Sequence, residues 1–399
     1  MKKHLCAAPE CTGCLACLNV CPKHAIGVTE GFLGEILPTI DEDKCVDCGL
    51  CDKICPSLNP SPMHLPMDCY AAWTKNEVDY VSATSGGMAT AISKSVISKG
   101  GGMATAISKS VISKGGVVYG CAAHGLQVKH MRCATMEDVE KLKGSKYVQS
   151  EMGDLYQALK KDVLEGLTVL FIGTPCQVAG VKNYLRQEYD NLLTVDLICH
   201  GVPSQQSLHA SLRHAIRDIE PTKVTYLSFR NHAKGDFCLE CRGFKKDGKP
   251  FIFERGIDYS NSYYPAFFFG NSYRNSCYQC RYAYRQRISD ISIGDFWGLK
   301  DEKVHREADN GISVVLVNTD KGTAFYALMQ ADVHSHRQPV EDAIAGNAQL
   351  NAPTRRTGRT RCFRFLARYC SFEAAFRITW MDRILKSKMK YCIKKIIRK

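Results

Sequence analysis

The feature that most constrains this chain is a cysteine spacing that occurs twice. Cys11, Cys14, Cys17 and Cys21-Pro22 are set out as C-x2-C-x2-C-x3-C-P, and Cys45, Cys48, Cys51 and Cys55-Pro56 repeat the pattern. Thiolates at i, i+3 and i+6 wrap one tight loop around three irons of a cubane, and the fourth cysteine then points to the other cluster. The spacing predicts crossed ligand sets: Cys11, Cys14, Cys17 and Cys55 on one 4Fe–4S cluster, and Cys21, Cys45, Cys48 and Cys51 on a second. A pair of four-cysteine zinc sites is the alternative, although zinc ligands usually come as CxxC pairs separated by longer gaps. Cys6 lies outside both motifs and reads as a free thiol. Two adjacent clusters make an electron conduit and leave donor and acceptor open.

The 21 cysteines are an odd and large number, which in a reducing compartment points to metal or redox roles rather than disulfides. MKKHLCAAPECTGC has no apolar stretch and is not a secretory signal. Apolar runs such as TVLFI and PAFFF are far short of the roughly 20 residues that span a bilayer. A cytoplasmic location is expected. The net charge of +13 is local: residues 355–399 hold 15 Lys and Arg against Glu373 and Asp382, and the rest is neutral.

Beyond the Pro-rich stretch NPSPMHLPMD at 59–68, TVLFIG (168–173) leads through TPCQ into the helix-like VAGVKNYLRQ. LLTVDLI (192–198) leads likewise through CHGVPS into QQSLHASLRHAI. Strand, loop and helix in series predict a mostly parallel sheet, with ligands beyond the C-terminal strand ends. Cys176, Cys199 and His200 fall there. KVTYLSFRN, a hairpin of CLECRGF and KPFIFER around KKDG, and SDISIGDFWG supply further strands.

TSGG (84–87), GSKYVQS (144–150), GTPCQVAG (173–180), DLICHGVP (196–203), CYQCRYA (277–283) and SDISIGDFWG (289–298) occur in an order that resembles the β subunits of coenzyme F420 hydrogenases and dehydrogenases, here fused to a ferredoxin domain. The resemblance covers most of residues 5–300 and not the chain beyond about 350. It implies FAD beside iron–sulfur clusters and electron passage to a deazaflavin or to another organic substrate, glycan-related ones included.

With a flavin implied, Ser85-Gly86-Gly87 at a helix start offers backbone N–H groups to a pyrophosphate, or is simply a capped helix with no ligand. Lys146 can supply a cation, Tyr147 a stacking face, and Ser145 and Gln149 hydrogen bonds. Cys176, Cys199, Cys277 and Cys280 can hold a third cluster; Cys176 and Cys199 can equally be inert core residues. A zinc site joining Cys238 and Cys241 to Cys277 and Cys280 is disfavoured, because i and i+3 on one strand face opposite ways. His200 is a proton donor or a loop hydrogen-bonder, and Asp295 a site carboxylate or a turn former. His64, His124 and His232 read as structural or surface residues.

From Ile378, Met381, Ile384, Leu385, Met389, Ile393, Ile396 and Ile397 form an apolar stripe opposite Arg383, Lys386, Lys390, Lys394 and Lys395. This amphipathic helix suits the inner membrane face, an acidic redox partner, or its own protein's surface. No nucleic-acid reading module is present.

Gly86–Gly100 recurs letter for letter as Gly101–Gly115. Each copy carries one apolar stripe, and Gly100-Gly101-Gly102 is expected to break them into two helices. A perfect pair of 15-residue units is a tandem duplication and no solenoid. One copy should fill the native slot while the other loops out beside the cofactor site, weakening flavin binding.

The expected organisation is an α+β ferredoxin-like dicluster domain (1–58), a linker (59–68), an α/β flavin and iron–sulfur region (69–350, in parts 69–150 and 151–350) and a basic tail (351–399). The expected activity is that of an iron–sulfur flavoprotein oxidoreductase acting on a small molecule or redox partner. The alternative is a non-enzymatic electron-transfer subunit serving a separate catalytic partner.

Overall fold

The structure, a computed structural model, describes residues 5–107, 116–231, 237–259, 261–308 and 310–397; for 99–107 and 391–397 it describes the backbone alone. His232 and the end of the second duplicate, 108–115, lie outside the described residues.

In the N-terminal region a hairpin of β1 (Ile26–Glu30) and β2 (Ile36–Ile40) pairs Ile26 with Ile40. Short helices Ala16–Val20 and Leu50–Lys53 complete it. The two cysteine loops share one backbone device. Two and four residues after the first cysteine, the chain turns left-handed: Gly13 (φ 68) and Leu15 (φ 61) in one loop, Asp47 (φ 50) and Gly49 (φ 67) in the other. Each loop thus holds one non-glycine in a conformation costing about 1–2 kcal/mol. The curl this produces keeps three thiols on its inner side.

The body is built on an eight-stranded sheet ordered β13-β3-β12-β11-β7-β6-β4-β5. Its strands are β3 (Asp68–Thr74), β4 (Gly116–His124), β5 (Gln127–Cys133), β6 (Thr168–Gly173), β7 (Leu192–Leu197), β11 (Ile291–Asp295), β12 (Ser313–Val317) and β13 (Val333–Gln338). β6 and β12 are buried at every residue, as strands covered on both faces must be. The expectation of a mostly parallel sheet is corrected. Only β4–β6, β6–β7 and β7–β11 run parallel; β3, β5, β12 and β13 join antiparallel. The parallel core comes from the strand–loop–helix series; the antiparallel margin comes from the β4–β5 hairpin at one end and, at the other, from β3 inserted between β12 and β13, which lie more than 200 residues further along the chain. The C-terminal ends of β6, β7 and β11 share one edge, which gathers Cys176, Cys199 and Asp295.

A second sheet, β8 (Pro221–Ser228), β9 (Leu239–Lys245) and β10 (Pro250–Arg255), contains the expected hairpin. Cys241 lies on β9 among Phe251 and Phe253 in an apolar cluster, which accounts for it as a core residue. The dicluster region packs on the body through Ala16, Cys17 and Ile54 against Tyr156, Val178 and Tyr282.

The helix Met88–Ile107 runs on through the three glycines, correcting the expected break. Each glycine costs about 1 kcal/mol relative to alanine, and the preceding turns are already fixed by Met88, Ile92 and Val96, all at most 1% exposed. The first copy therefore occupies the slot between helix and sheet. A Cβ on Gly116 would lie 2.1 Å from the Val96 carbonyl oxygen, so the chain returns beside the first copy after the second.

The C-terminal segment is more than one exposed element. Phe363, Phe372 and Phe376, from helices Gly358–Leu366 and Phe372–Thr379, pack with Trp380, Leu33 and Ala266. The last helix, Met381–Ile397, leaves Met381, Leu385 and Met389 more than half exposed. Among the described residues no helix is long and apolar enough to cross a membrane.

Candidate iron–sulfur centres

The structure gathers the N-terminal cysteines in the crossed sets that the spacing predicts. Cys11, Cys14, Cys17 and Cys55 line one cavity, with Leu15 and Pro38. Cys21, Cys45, Cys48 and Cys51 line another, with Ile26 and Ile40. Among the described residues, no three Cys, His, Asp or Glu side chains meet on one point as the ligands of a single ion would. In each cavity the four thiols line one common space. Cys6, read from sequence as an isolated thiol, joins the first set by packing on Cys11 and Cys55. Its hydrogen bonds are the main cause that lowers both Cys11 and Cys55 below the ordinary thiol range.

Cys176, Cys199, Cys277 and Cys280 also come together. Cys176 opens the helix Pro175–Leu185, whose start is fixed by a Thr174–Gln177 capping box. Cys199 follows β7, and Cys277 lies in the 3-10 turn Asn275–Gln279. Every pair among the four interacts electrostatically. Burial, then the neighbouring thiols, pushes Cys277 up to about 12 and Cys280 to about 11. Four thiols crowded into low dielectric are stable as thiolates only with metal between them. Cys238 and Cys241 do not join the set.

This group abuts the first cavity. A Cβ on Gly180, one turn beyond Cys176, would lie 3.2 Å from the Cys14 sulfur, so only glycine allows that approach. Tyr156 donates to the Cys14 carbonyl at 2.6 Å. Arg274 donates through Nη2 to the carbonyls of Cys11 (3.1 Å) and Ile36 (2.8 Å). Its own carbonyl accepts from Cys277 N. Sequence reading missed Arg274, because an arginine in NSYRNSC carries no spacing signal.

The proposed flavin ligands are rearranged. Ser85 spends its hydroxyl on the Ile312 carbonyl (3.0 Å). Gly86 lies against the backbone, where a Cβ would meet the Ala72 oxygen at 2.3 Å, and Gly87 is left-handed at φ +73. Lys146 donates to the carbonyls of Leu142 and Lys143 (2.6 and 2.8 Å) after the short helix Met136–Glu140. These bonds hold its ammonium against the turn that follows the helix. Gln149 accepts from Arg274 Nη1 (2.8 Å) and donates to the Thr12 carbonyl (3.1 Å), so it docks the dicluster region. Ser145 does stay beside the SGG turn, its N–H donating to Thr84 Oγ1 at 3.0 Å. Tyr147 packs its ring on Phe229, Phe237 and Phe267.

A residue absent from the sequence reading organises this end of the sheet. Arg230 donates to the Thr84 carbonyl (2.6 Å), pairs with Asp295 (2.7 Å), and lies 4.3 Å over the Phe237 ring. Asp295 is thus a paired carboxylate, and its carbonyl also accepts from Trp297 N at 3.1 Å. His200 follows Cys199, and its imidazole is held below its ordinary value by desolvation, which the Asp295 charge partly opposes. A second buried pair, Arg287 with Asp196 at 2.5 Å, ties the chain entering β11 to β7.

Residues 166–343 match the family model for the C terminus of the coenzyme F420 hydrogenase/dehydrogenase beta subunit, and residues 10–59 match the 4Fe-4S dicluster domain. The second match decides between iron–sulfur and zinc for the N-terminal motifs. The F subunit of the F(420)H(2) dehydrogenase of Methanosarcina mazei is 22% identical over 383 residues, which is 92% of this chain and 95% of the relative. The B subunit of an ion-translocating oxidoreductase complex of Methanosarcina acetivorans is 52% identical over 46 residues, 12% of this chain and 16% of the relative. The solved F420-reducing NiFe hydrogenase complex of Methanosarcina barkeri, derivatized with xenon, aligns over 71% of this chain and 91% of its own, at 18% identity and a TM-score of 0.44. Residues 166–343 are thus similar to the C-terminal part of the coenzyme F420 hydrogenase/dehydrogenase beta subunit, and residues 10–59 form a 4Fe–4S dicluster domain.

Proposed function

We propose that this chain is an iron–sulfur oxidoreductase subunit that carries electrons between a flavin-linked organic substrate and a redox partner. The observation that carries the reading is the convergence of three four-thiol sets, two in the dicluster region and one at the sheet edge that touches it. When bound, three 4Fe–4S clusters would each take up and release one electron. The chain's own residues hold the thiols in place, wall them with Tyr156 and Tyr282, and limit water beside Cys11, Cys14 and Cys17, each 8% exposed.

FAD and an F420-type deazaflavin enter from the family. Support comes from the glycine-rich start of the helix Met88–Ile107 and from Arg230, a cation faced by Phe237 and Tyr147. Arg230 replaces Lys146 as the cation that would meet a pyrophosphate. The Methanosarcina mazei relative is by its name one part of a dehydrogenase, which favours a chain that works with a partner.

The test is to reduce the anaerobically purified chain with dithionite, remove excess reductant and add oxidised F420. Bleaching of F420 by the chain alone supports an oxidoreductase centre of its own. Reduction of dyes but not F420, with turnover gained on adding a partner, supports a pure electron-transfer role. A chain that takes up no electrons overturns both.

A further inference from the structure

Arg274 is 2% exposed and is among the largest fully buried side chains. Its backbone is fixed in the loop between two cysteine sites: Arg274 N donates to Val202 O, three residues beyond Cys199, and Cys277 N donates to Arg274 O. The side chain leaves this loop for the other region. Nη1 reaches Gln149, and Nη2 reaches the carbonyls of Cys11 and Ile36. A Cβ on Gly13, inside the first cysteine loop, would lie 2.7 Å from Nη1. Nε is buried with no partner.

Among the described residues, none of the groups bonded to Arg274 is a carboxylate. A guanidinium withdrawn from water without a counter-charge is costly. The charge is felt by Cys11 on one side and by Cys176 and Cys277 on the other. Thiolate-ligated clusters on both sides would supply the missing negative charge. Reducing such a cluster adds one electron and no compensating charge, so a nearby fixed cation favours the reduced form and raises the potential.

We propose that Arg274 tunes two clusters at once, the one held by Cys11, Cys14, Cys17 and Cys55 and the one held by Cys176, Cys199, Cys277 and Cys280. It acts as their shared counter-charge and keeps their potentials close enough for electrons to pass. The inference rests on the three-cluster reading above. Arg274 touches no reacting atom and is a positioning residue.

The experiment is an anaerobic redox titration followed by electron paramagnetic resonance, on wild type, Arg274→Gln and Arg274→Lys, with iron counted on each sample. Arg274→Gln should lower two of the three potentials and leave the cluster of Cys21, Cys45, Cys48 and Cys51 unmoved. Arg274→Lys, which keeps charge but not the hydrogen-bond fork, should stay near wild type. Three unmoved potentials in Arg274→Gln overturn the proposal, as do equal shifts in Gln and Lys, which would mark a structural role. If Arg274→Gln does not fold, Gln149→Glu places a carboxylate against the guanidinium and should lower the same two potentials; no shift there overturns the proposal. A wild-type count of about 8 irons rather than about 12 removes the third cluster itself. That outcome overturns the shared role through the iron count, separately from any potential.

Discussion

His130 shows how one buried group makes this fold pH-sensitive. Its ring bonds to the Ile172 carbonyl (3.0 Å) and Ser150 Oγ (2.9 Å) and stacks on Phe171. Burial lowers its pKa to about 4. The unfolded imidazole takes a proton near pH 6.5, so between pH 6.5 and 4 the unfolded state binds more protons and stability rises with pH. The contribution is complete above pH 6.5, and roughly 3 kcal/mol of it is lost by pH 4. Urea unfolding at several pH values should show His130→Gln with a flatter acid limb than wild type; parallel curves would remove the claim. At the same scale, Arg230 orders the Thr84 turn and Asp295. Arg230→Ala should lower flavin content per chain while leaving iron content unchanged, and loss of both together would mark a folding defect instead.

The duplicated helix is decided between two identical words by their neighbours. Only the first copy follows Thr84 and Ser85, which engage Ser145 N and the Ile312 carbonyl. Its Lys94 also meets Asp79 at 2.8 Å. Ile92 is fully buried, so Ile92→Ala should cost about 2–5 kcal/mol. The same change in the other copy, Ile107→Ala, should cost little, and equal losses would show that the copies share the slot. Deleting residues 101–115 should leave Tm equal or higher, because it shortens the connection from the first copy to β4 and so lowers the entropy of closing it. At the C-terminus, truncation after Trp380 should keep the fold, because Phe363, Phe372, Phe376 and Trp380 retain their packing; a collapse of the thermal transition would show that the last helix is part of the core.

Across the whole molecule, sequence makes visible whatever depends on local spacing. The crossed thiol sets, the strand–loop–helix series placing Cys176 and Cys199 on one edge, and the β9–β10 hairpin all follow from short-range pattern. The antiparallel margin of the large sheet is hidden from such a reading, since β3, β12 and β13 pair across more than 200 residues. So are the jobs of Lys146 and Gln149, whose polar groups are taken by nearby carbonyls and by Arg274 once the chain packs. Arg230, Arg274 and Arg287 are invisible because a buried arginine is defined by its distant partners. Three thiol sets holding three clusters is the proposition on which the rest depends, and counting iron on anaerobically purified protein tests it. About 12 irons per chain are expected in wild type and about 8 in the Cys277→Ser, Cys280→Ser double variant. About 8 irons in both would contradict it.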